Sequence, residues 1–317
     1  MPPAYSSGRL KHFILAECRR ESTNLIAKKT KFRPIDAVIV VLCIALGIYV
    51  FYRIKYGLEY KGDWSVIPQF LFRRSKETGR LVPNYLLEGL ITTIKLSIWA
   101  TILATIAGIV MGLFRTSGNL FLRMVGRTYV ELIRNLPPLV LIFIFYFFVV
   151  DQIMPLLGVE EFIRSRSDSA KAVLAVFFAQ ESLFVQFISG IITIAFFEGA
   201  YITEIIRAGI ESIERGQREA AYSLGLSWFD QMRFIIMPQA IKRVLPPLAN
   251  EFINTIKYSS IASVVSIQEL TFMGQQVIVA TRYIFEAWIT VAIMYLVLTM
   301  SLSLVVGRLE KRMRRSD

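Results

Sequence analysis

Six apolar stretches, separated by polar and basic segments, constrain this 317-residue chain more than anything else in it. They cover residues 35–54, 86–114, 129–150, about 183–206, part of 256–279, and 283–306. A helix needs about 20 apolar residues to cross a bilayer, and these stretches supply that length. Inside lipid every backbone polar group must be satisfied within its own segment, so the stretches read as helices. The expected fold is an all-α integral membrane protein with about six transmembrane helices. Residues 171–206 are too long for one helix and too short for two with a loop. A short surface helix near 170–180 takes up the excess.

Composition agrees with that class. The chain is 55% hydrophobic and 19% charged, with a mean hydropathy of +0.53. A soluble domain carries more charge. The net charge is +12. In a soluble protein such a surplus points to nucleic acid. Here the Lys and Arg cluster between and beside the apolar stretches, so they read as a topology signal and no nucleic-acid partner is expected. With both tails on the cytoplasmic side, the inside segments 1–34, 115–127, 207–245 and 308–317 hold 22 Lys and Arg, and the outside segments hold 9. That bias fits the positive-inside rule, and an even number of spans agrees with it. One misfit remains: residues 55–85, on the outside, hold six basic residues.

The stretch at 35–54 follows a 34-residue basic tail and lacks a small-x-small cleavage site, so it reads as a permanent anchor. Cys18 lies in the tail and Cys43 in a span, and no disulfide is expected. The sequence has no G-x-x-x-x-G-K-[ST] loop and no G-x-S-x-G, and its one histidine, His12, is in the tail. The chain is therefore not expected to be an enzyme, nor to bind a metal or cofactor. Energy for any transport would come from a partner or an ion gradient.

The polar insert at 207–245 is the most specific local signal. Glu219-Ala220-Ala221-Tyr222-Ser223-Leu224-Gly225 begins on charged residues and ends on glycine, and Ile235-Ile236-Met237-Pro238 follows. Ala220, Ala221 and Leu224 are expected on one helical face, where small side chains let a partner approach closely. Gly225 ends the helix because it tolerates a left-handed conformation. Pro238 reads as a second stop.

This insert resembles the EAA loop of the membrane subunits of bacterial ATP-binding cassette (ABC) importers, with E-A-A, three residues, G, nine residues, I, one residue and L-P. Only Met237 departs, standing where Leu is usual. The resemblance extends over about 86–306 and points to the polar amino-acid branch. Thr92-Thr93-Ile94-Lys95-Leu96-Ser97 is similar to the opening of that branch's core. Tyr129, Glu131, Arg134, Pro137 and Leu139 are similar to its Y-x-E-x-x-R-x-x-P-x-L signature. Ala200-Tyr201, Glu204, Arg207, Gly209 and Ile210 match the run before the loop, and Pro246-Pro247-Leu248, Asn250, Phe252 and Ile253 the run after it. Lys257 matches too, whereas Tyr258 stands where Asp or Asn is usual.

The resemblance implies a five-helix permease core at 86–306 with its cytoplasmic EAA loop at about 207–245. Ahead of it lie a basic tail at 1–34, an extra transmembrane helix at 35–54 and a periplasmic loop at 55–85. A second basic tail covers 307–317. It also implies a multi-pass protein of the bacterial inner membrane with both termini cytoplasmic. The implied partners are a cytoplasmic ABC ATPase dimer, which holds ATP and magnesium, a periplasmic or extracellular amino-acid-binding protein, a second permease subunit, and membrane lipid. Glu219, Ala220, Ala221, Gly225 and Pro238 would couple the chain to the ATPase.

Glu198, Asn250 and Lys257 are the candidates for the substrate path. Glu198 lies deep in an apolar run, where a carboxylate is costly and suggests either a site or a pairing with a neighbouring cation. Asn250, Asn254 and Lys257 recur at spacings of four and three and form one polar stripe, which suits a path or interhelical hydrogen bonds. Pro137-Pro138 and Pro246-Pro247 both sit in a basic then Leu-Pro-Pro-Leu context and read as one helix-start device. An ion-gradient-driven secondary transporter is the alternative, although it predicts inverted repeats that the sequence does not display. A membrane scaffold without transport is a third reading.

Overall fold

The structure is a computed structural model that describes residues 34–57, 62–75 and 79–313. The expectations for the tail before residue 34, with His12 and Cys18, and for residues 314–317 lie outside the described residues. Residues up to Lys61 and from Gly62 onward form two compact units. The first unit contributes one helix, α1 (Pro34–Gly57), whose side chains from Val38 to Val50 are exposed.

The second unit opens with a 3-10 turn at Trp64–Val66, a helical turn at Ile67–Leu71 and a two-stranded hairpin, β1 (Phe72–Arg74) and β2 (Leu81–Pro83). The principal helices follow: α2 (Tyr85–Thr116), α3 (Leu120–Arg134), α4 (Pro138–Phe148), α5 (Asp168–Phe177), α6 (Phe184–Glu211), α7 (Arg215–Ser223), α8 (Met237–Tyr258), α9 (Leu270–Thr281) and α10 (Ile284–Met313). Among the described residues, four helical stretches are long and apolar enough to cross a membrane: Tyr85–Thr116, Pro138–Leu156, Glu181–Glu211 and Ile284–Arg308. Pro34–Val50 and α9 are shorter apolar helices.

The core is built on α2 and α6. Ala100, Ala104, Gly108 and Gly112 recur every fourth residue on one face of α2, and all are buried. That stripe lets α6 come to backbone distance. Leu96 lies by Gly190, Gly108 by Ile202 and Gly112 by Ile206, so the two helices run parallel. Two-thirds of the apolar window of α6 is buried, against 11% for α10. Thus α6 is the centre of the bundle and α10 is on its perimeter. At the end of α2 that carries the hairpin, Glu269 caps α9. Its carboxylate accepts from Phe272 N at 2.8 Å and from the Tyr295 hydroxyl at 2.6 Å, and Thr93 Oγ1 accepts from Leu270 N at 3.1 Å.

Four expectations are corrected. The third stretch is expected to run 129–150, but Tyr129 belongs to α3. This separate amphipathic helix buries Gly126, Val130 and Ile133, and the spanning segment starts at Pro138. The prolines set that boundary, because the residue before a proline avoids the helical region. The expected loop at 115–127 is instead the end of α2 and most of α3, joined around the Asn119 cap. The fifth stretch, sought within 256–279, is broken. The end of α8 tightens into a 3-10 segment, Ser259–Val265, turns at Ser266 with φ 62°, and restarts as α9.

The last correction concerns the prolines. Pro238 is not a stop, for helix runs through it from Trp228 to Tyr258. A π-helical turn, Gln231–Ile236, precedes it and accommodates the missing N–H. The same device recurs at Pro155, after the π turn Val149–Ile153. Pro138 starts a helix as expected, but Pro246 and Pro247 lie inside α8. The two Leu-Pro-Pro-Leu segments therefore do different things.

Candidate functional site

Two places gather the residues singled out from the sequence. The first is α7 with the turn after it. Gly225 has φ +72°, its N–H donates to Tyr222 O at 2.9 Å, and Leu226 N–H donates to Ala221 O at 3.2 Å. This is a Schellman closure, in which a left-handed residue lets two N–H groups satisfy the last helical carbonyls. The expected shared face is only partly right. Ala220 and Leu224 point outward, while Ala221 is buried at 1% exposure. Glu219 and Gly225 are exposed at this turn, while Pro238 stands apart in the first turn of α8.

Around them lies an apolar surface that the sequence motif does not announce. Tyr222, Leu224, Trp228, Phe229 and Phe234 are each between 59% and 79% exposed. An exposed cluster of large apolar side chains in an otherwise polar segment marks a contact surface. The signal is present in the sequence as five large apolar residues within the polar insert.

Polar ties fix this surface to the bundle. Arg218 Nη2 donates to Ile210 O at 2.8 Å, across to the last turns of α6. Beneath α7, Ile210 and Ile213 pack with Ile236 of the π turn and with Ala240 and Val244 of α8. Gly209 makes room for Val244. Above this layer Glu204 joins Arg115 of α2 to Arg207, which also meets Glu211. The Glu and Arg of the A-Y-x-x-E-x-x-R run are therefore an ion-pair network at the ends of α2 and α6.

The second place is halfway up α6. Glu198 is fully buried, and apart from the neighbouring Glu251 carboxyl neither of its oxygens has a hydrogen-bond partner among the described residues. Among the described residues no Lys or Arg pairs with it, so the expected neighbouring cation is not supplied by this part of the chain. Instead the Glu251 carboxyl of α8 comes alongside. Glu251 is itself 8% exposed and receives Asn254 Nδ2 at 3.3 Å.

Two tyrosines border the carboxyl pair, Tyr201 and Tyr258. Both pack on Phe197, with ring centroids at 5.2 and 5.5 Å. The Arg134 guanidinium lies 5.5 Å from the Tyr201 ring centroid, within cation–π range. Tyr129 reaches the same layer by donating its hydroxyl to Phe196 O at 2.6 Å, an approach that Gly199 permits. The group thus presents two acids, one base and a tyrosine rim. Asn250 and Lys257 are exposed, and Asn254 alone of that stripe touches the pair. Glu251 is absent from the sequence-based candidates, because its relation to Glu198 arises only from packing α8 on α6.

Comparison with known proteins follows the same lines. The family model described as "Binding-protein-dependent transport system inner membrane component" matches residues 104–315. The probable glutamine ABC transporter permease protein GlnM of Bacillus subtilis (strain 168) is 35% identical over 230 residues, covering 73% of this chain and 94% of that protein. The glutamine transport system permease protein GlnP of Escherichia coli (strain K12) is 34% identical over 229 residues, covering 71% and 93%. A crystal structure of an amino acid ABC transporter with histidines superposes with a TM-score of 0.57 at 32% identity, over 72% of this chain and 94% of that one. The inward-facing MetNI methionine ABC transporter superposes with a TM-score of 0.54 at 16% identity, over 72% and 96%, and shares the fold.

Proposed function

The chain belongs to the family of binding-protein-dependent transport system inner membrane components, and from that premise we propose how it couples and what it carries. It is a permease subunit of an ABC amino-acid importer, a transport component rather than an enzyme. The substrate is a polar amino acid, handed over by an extracytoplasmic binding protein. The path forms between this subunit and a second permease subunit. A partner ATPase dimer holds ATP and magnesium and docks on α7, with Glu219, Ala220, Gly225 and the Tyr222–Leu224–Trp228 surface at the contact. The single observation that carries this reading is that surface, closed by the Gly225 turn and tied through Arg218 to the end of α6. Ala221 acts from behind it, as the inward anchor.

The reading requires α7 to face the cytoplasm. In a cysteine-free background, a cysteine at Ser227 is expected to react with membrane-impermeant maleimides only from the cytoplasmic side. One at Ser169 is expected to react only from outside. Both positions are exposed. The reverse pattern would overturn the orientation and the docking with it.

Glu198 and Glu251 are the residues proposed to meet substrate, with Asn250 and Lys257 lining the exposed side of α8. Two buried carboxyls side by side resist ionising together, and an amino acid's ammonium would offset that repulsion. Glu198→Gln is expected to raise the apparent KM for uptake roughly tenfold, as loss of one hydrogen bond to a charged group does. Because no cation among the described residues depends on Glu198, thermal stability and basal ATP hydrolysis should hold. Unchanged kinetics across several amino acids would remove Glu198 from the path.

A further inference from the structure

The six basic residues at 55–85 sit on the side that the charge count makes extracytoplasmic, and nothing in the transport reading uses them. The structure shows where three of them go. Arg73, Arg74 and Arg80 are exposed on the hairpin, which closes with Ser75 N–H donating to Arg80 O at 2.8 Å. In the register of the strands Arg74 stands opposite Leu81 and Phe72 opposite Pro83, so one face alternates charge with apolar bulk. Trp64, Phe72 and Leu81 are exposed over at least half of their surface, and Tyr85 nearly so.

This device is rigidly placed. Asn84 N–H donates to Leu71 O at 2.9 Å, and its side-chain amide to Gln69 O at 2.6 Å, which fixes the hairpin to the first turn of α2. Arg73 reaches Glu88 of α2 at 3.7 Å. Phe70 and Leu71 pack on the cluster of Leu86, Val277, Ala287 and Val291, so the segment sits against the start of α10. The hairpin therefore stands at the rim of the bundle, beside the first turns of α10, the least buried of the four apolar helices long enough to span.

Arginines interleaved with tryptophan, tyrosine and aliphatic side chains, held at the mouth of a lipid-facing helix, match the chemistry of a phospholipid headgroup layer. The aromatic rings sit at the interface, and the arginine stems run along apolar surface to a phosphate. We propose that this hairpin binds anionic phospholipid headgroups of the leaflet opposite α7, with Arg74 and Arg80 on the phosphates and Trp64, Phe72 and Leu81 in the interfacial layer. Lipid is favoured over a docked protein because the surface is continuous with the exposed flank of α10. The proposal depends on the membrane position of α2 and α10 and not on the substrate.

The test uses the full permease complex in phosphatidylcholine vesicles doped with brominated phosphatidylglycerol or brominated phosphatidylcholine. Subtracting a Trp64→Phe complex isolates quenching of Trp64. Phosphatidylglycerol should quench at lower mole fraction than phosphatidylcholine. The fraction required should rise about fivefold for each arginine removed in Arg74→Gln and Arg80→Gln. In the unmodified protein the preference should shrink in 1 M salt, where screening reaches only about 3 Å. Equal quenching by both lipids at low salt would overturn the proposal. So would arginine variants that keep the lipid preference but lose stimulation of ATP hydrolysis by the binding protein, since the surface would then belong to that protein.

Discussion

Gly108→Val is expected to abolish assembly of the permease. A Cβ at Gly108 would stand 2.5 Å from Ile202 Cγ2, 2.8 Å from Ile202 Cβ and 3.2 Å from the Ile202 carbonyl carbon. Two of these atoms lie at or next to the backbone of α6, so no rotamer change relieves the clash. Ile202 is fully buried and cannot swing into space. Overpacking of a core usually costs about 1–3 kcal/mol. Here the contact lies between the two helices on which the bundle is built, and Gly112 repeats it one turn on, 2.6 Å from Ile206 Cγ2. Separating α2 from α6 would also pull Arg115 from Glu204. With total stability on the order of 5–15 kcal/mol, the expected result is loss of most monodisperse protein in detergent and a fall in its thermal midpoint. Gly118→Val is the control, because a Cβ at that glycine would meet nothing within 4 Å. Normal yield and midpoint for Gly108→Val would contradict the close α2–α6 contact.

Gly225→Val is expected to leave the protein folded and disconnect it from its motor. No atom lies within 4 Å of a Cβ at this position, so the substitution clashes with nothing. Its cost is conformational, because φ +72° is a left-handed backbone that a β-branched residue avoids. That cost is about 1–2 kcal/mol, too little to unfold the bundle. It is enough to open the Schellman turn and re-aim Leu224, Trp228 and Phe229. Substrate-stimulated ATP hydrolysis in reconstituted complexes should fall by roughly thirtyfold or more, the loss of a contact worth about 2 kcal/mol. Gly225→Asn should retain much more activity, since asparagine adopts the left-handed region readily. Full coupling in Gly225→Val would sink the docking role of the turn.

The spans that are legible in the sequence are those where apolar content and helix coincide. Residues 86–114 and 183–206 lie within α2 and α6 almost end to end. The third span is misplaced because Tyr129, Val130, Leu132 and Ile133 are apolar enough to join the run at 138, although they form the buried face and flank of a separate amphipathic helix. Periodicity at 120–134 separates the two. The stripe Ala100-Ala104-Gly108-Gly112 is not among the sequence-based readings, although small residues at every fourth position accompany close helix packing. The broken helix after Tyr258 is less accessible. Its 3-10 turn and the φ 62° at Ser266 follow from packing against α2 and α6, and serine does not announce them. The same applies to Glu251, which is an ordinary helical acid until α8 folds across Glu198. The EAA residues are legible as a motif, but which alanine faces inward is not, because that depends on the angle at which α7 leaves α6.

The glycine contacts between α2 and α6 have a mechanical meaning. Layers of long side chains between helices can shear, since rotamers rearrange at little cost, whereas β-branched isoleucines seated directly on glycine backbone have little such slack. Any load placed on α7 would meet α6 at its last turns, where Arg218 donates to the Ile210 carbonyl. There α2 is already in contact through Gly112 and in register through Arg115. The two helices therefore behave as a single girder. Compliance is left to the widened turns before Pro155 and Pro238, which lack the hydrogen bonds that a proline cannot make. If a partner pushes on α7, the expected response is a movement of α2 and α6 together, with bending left to the two π turns.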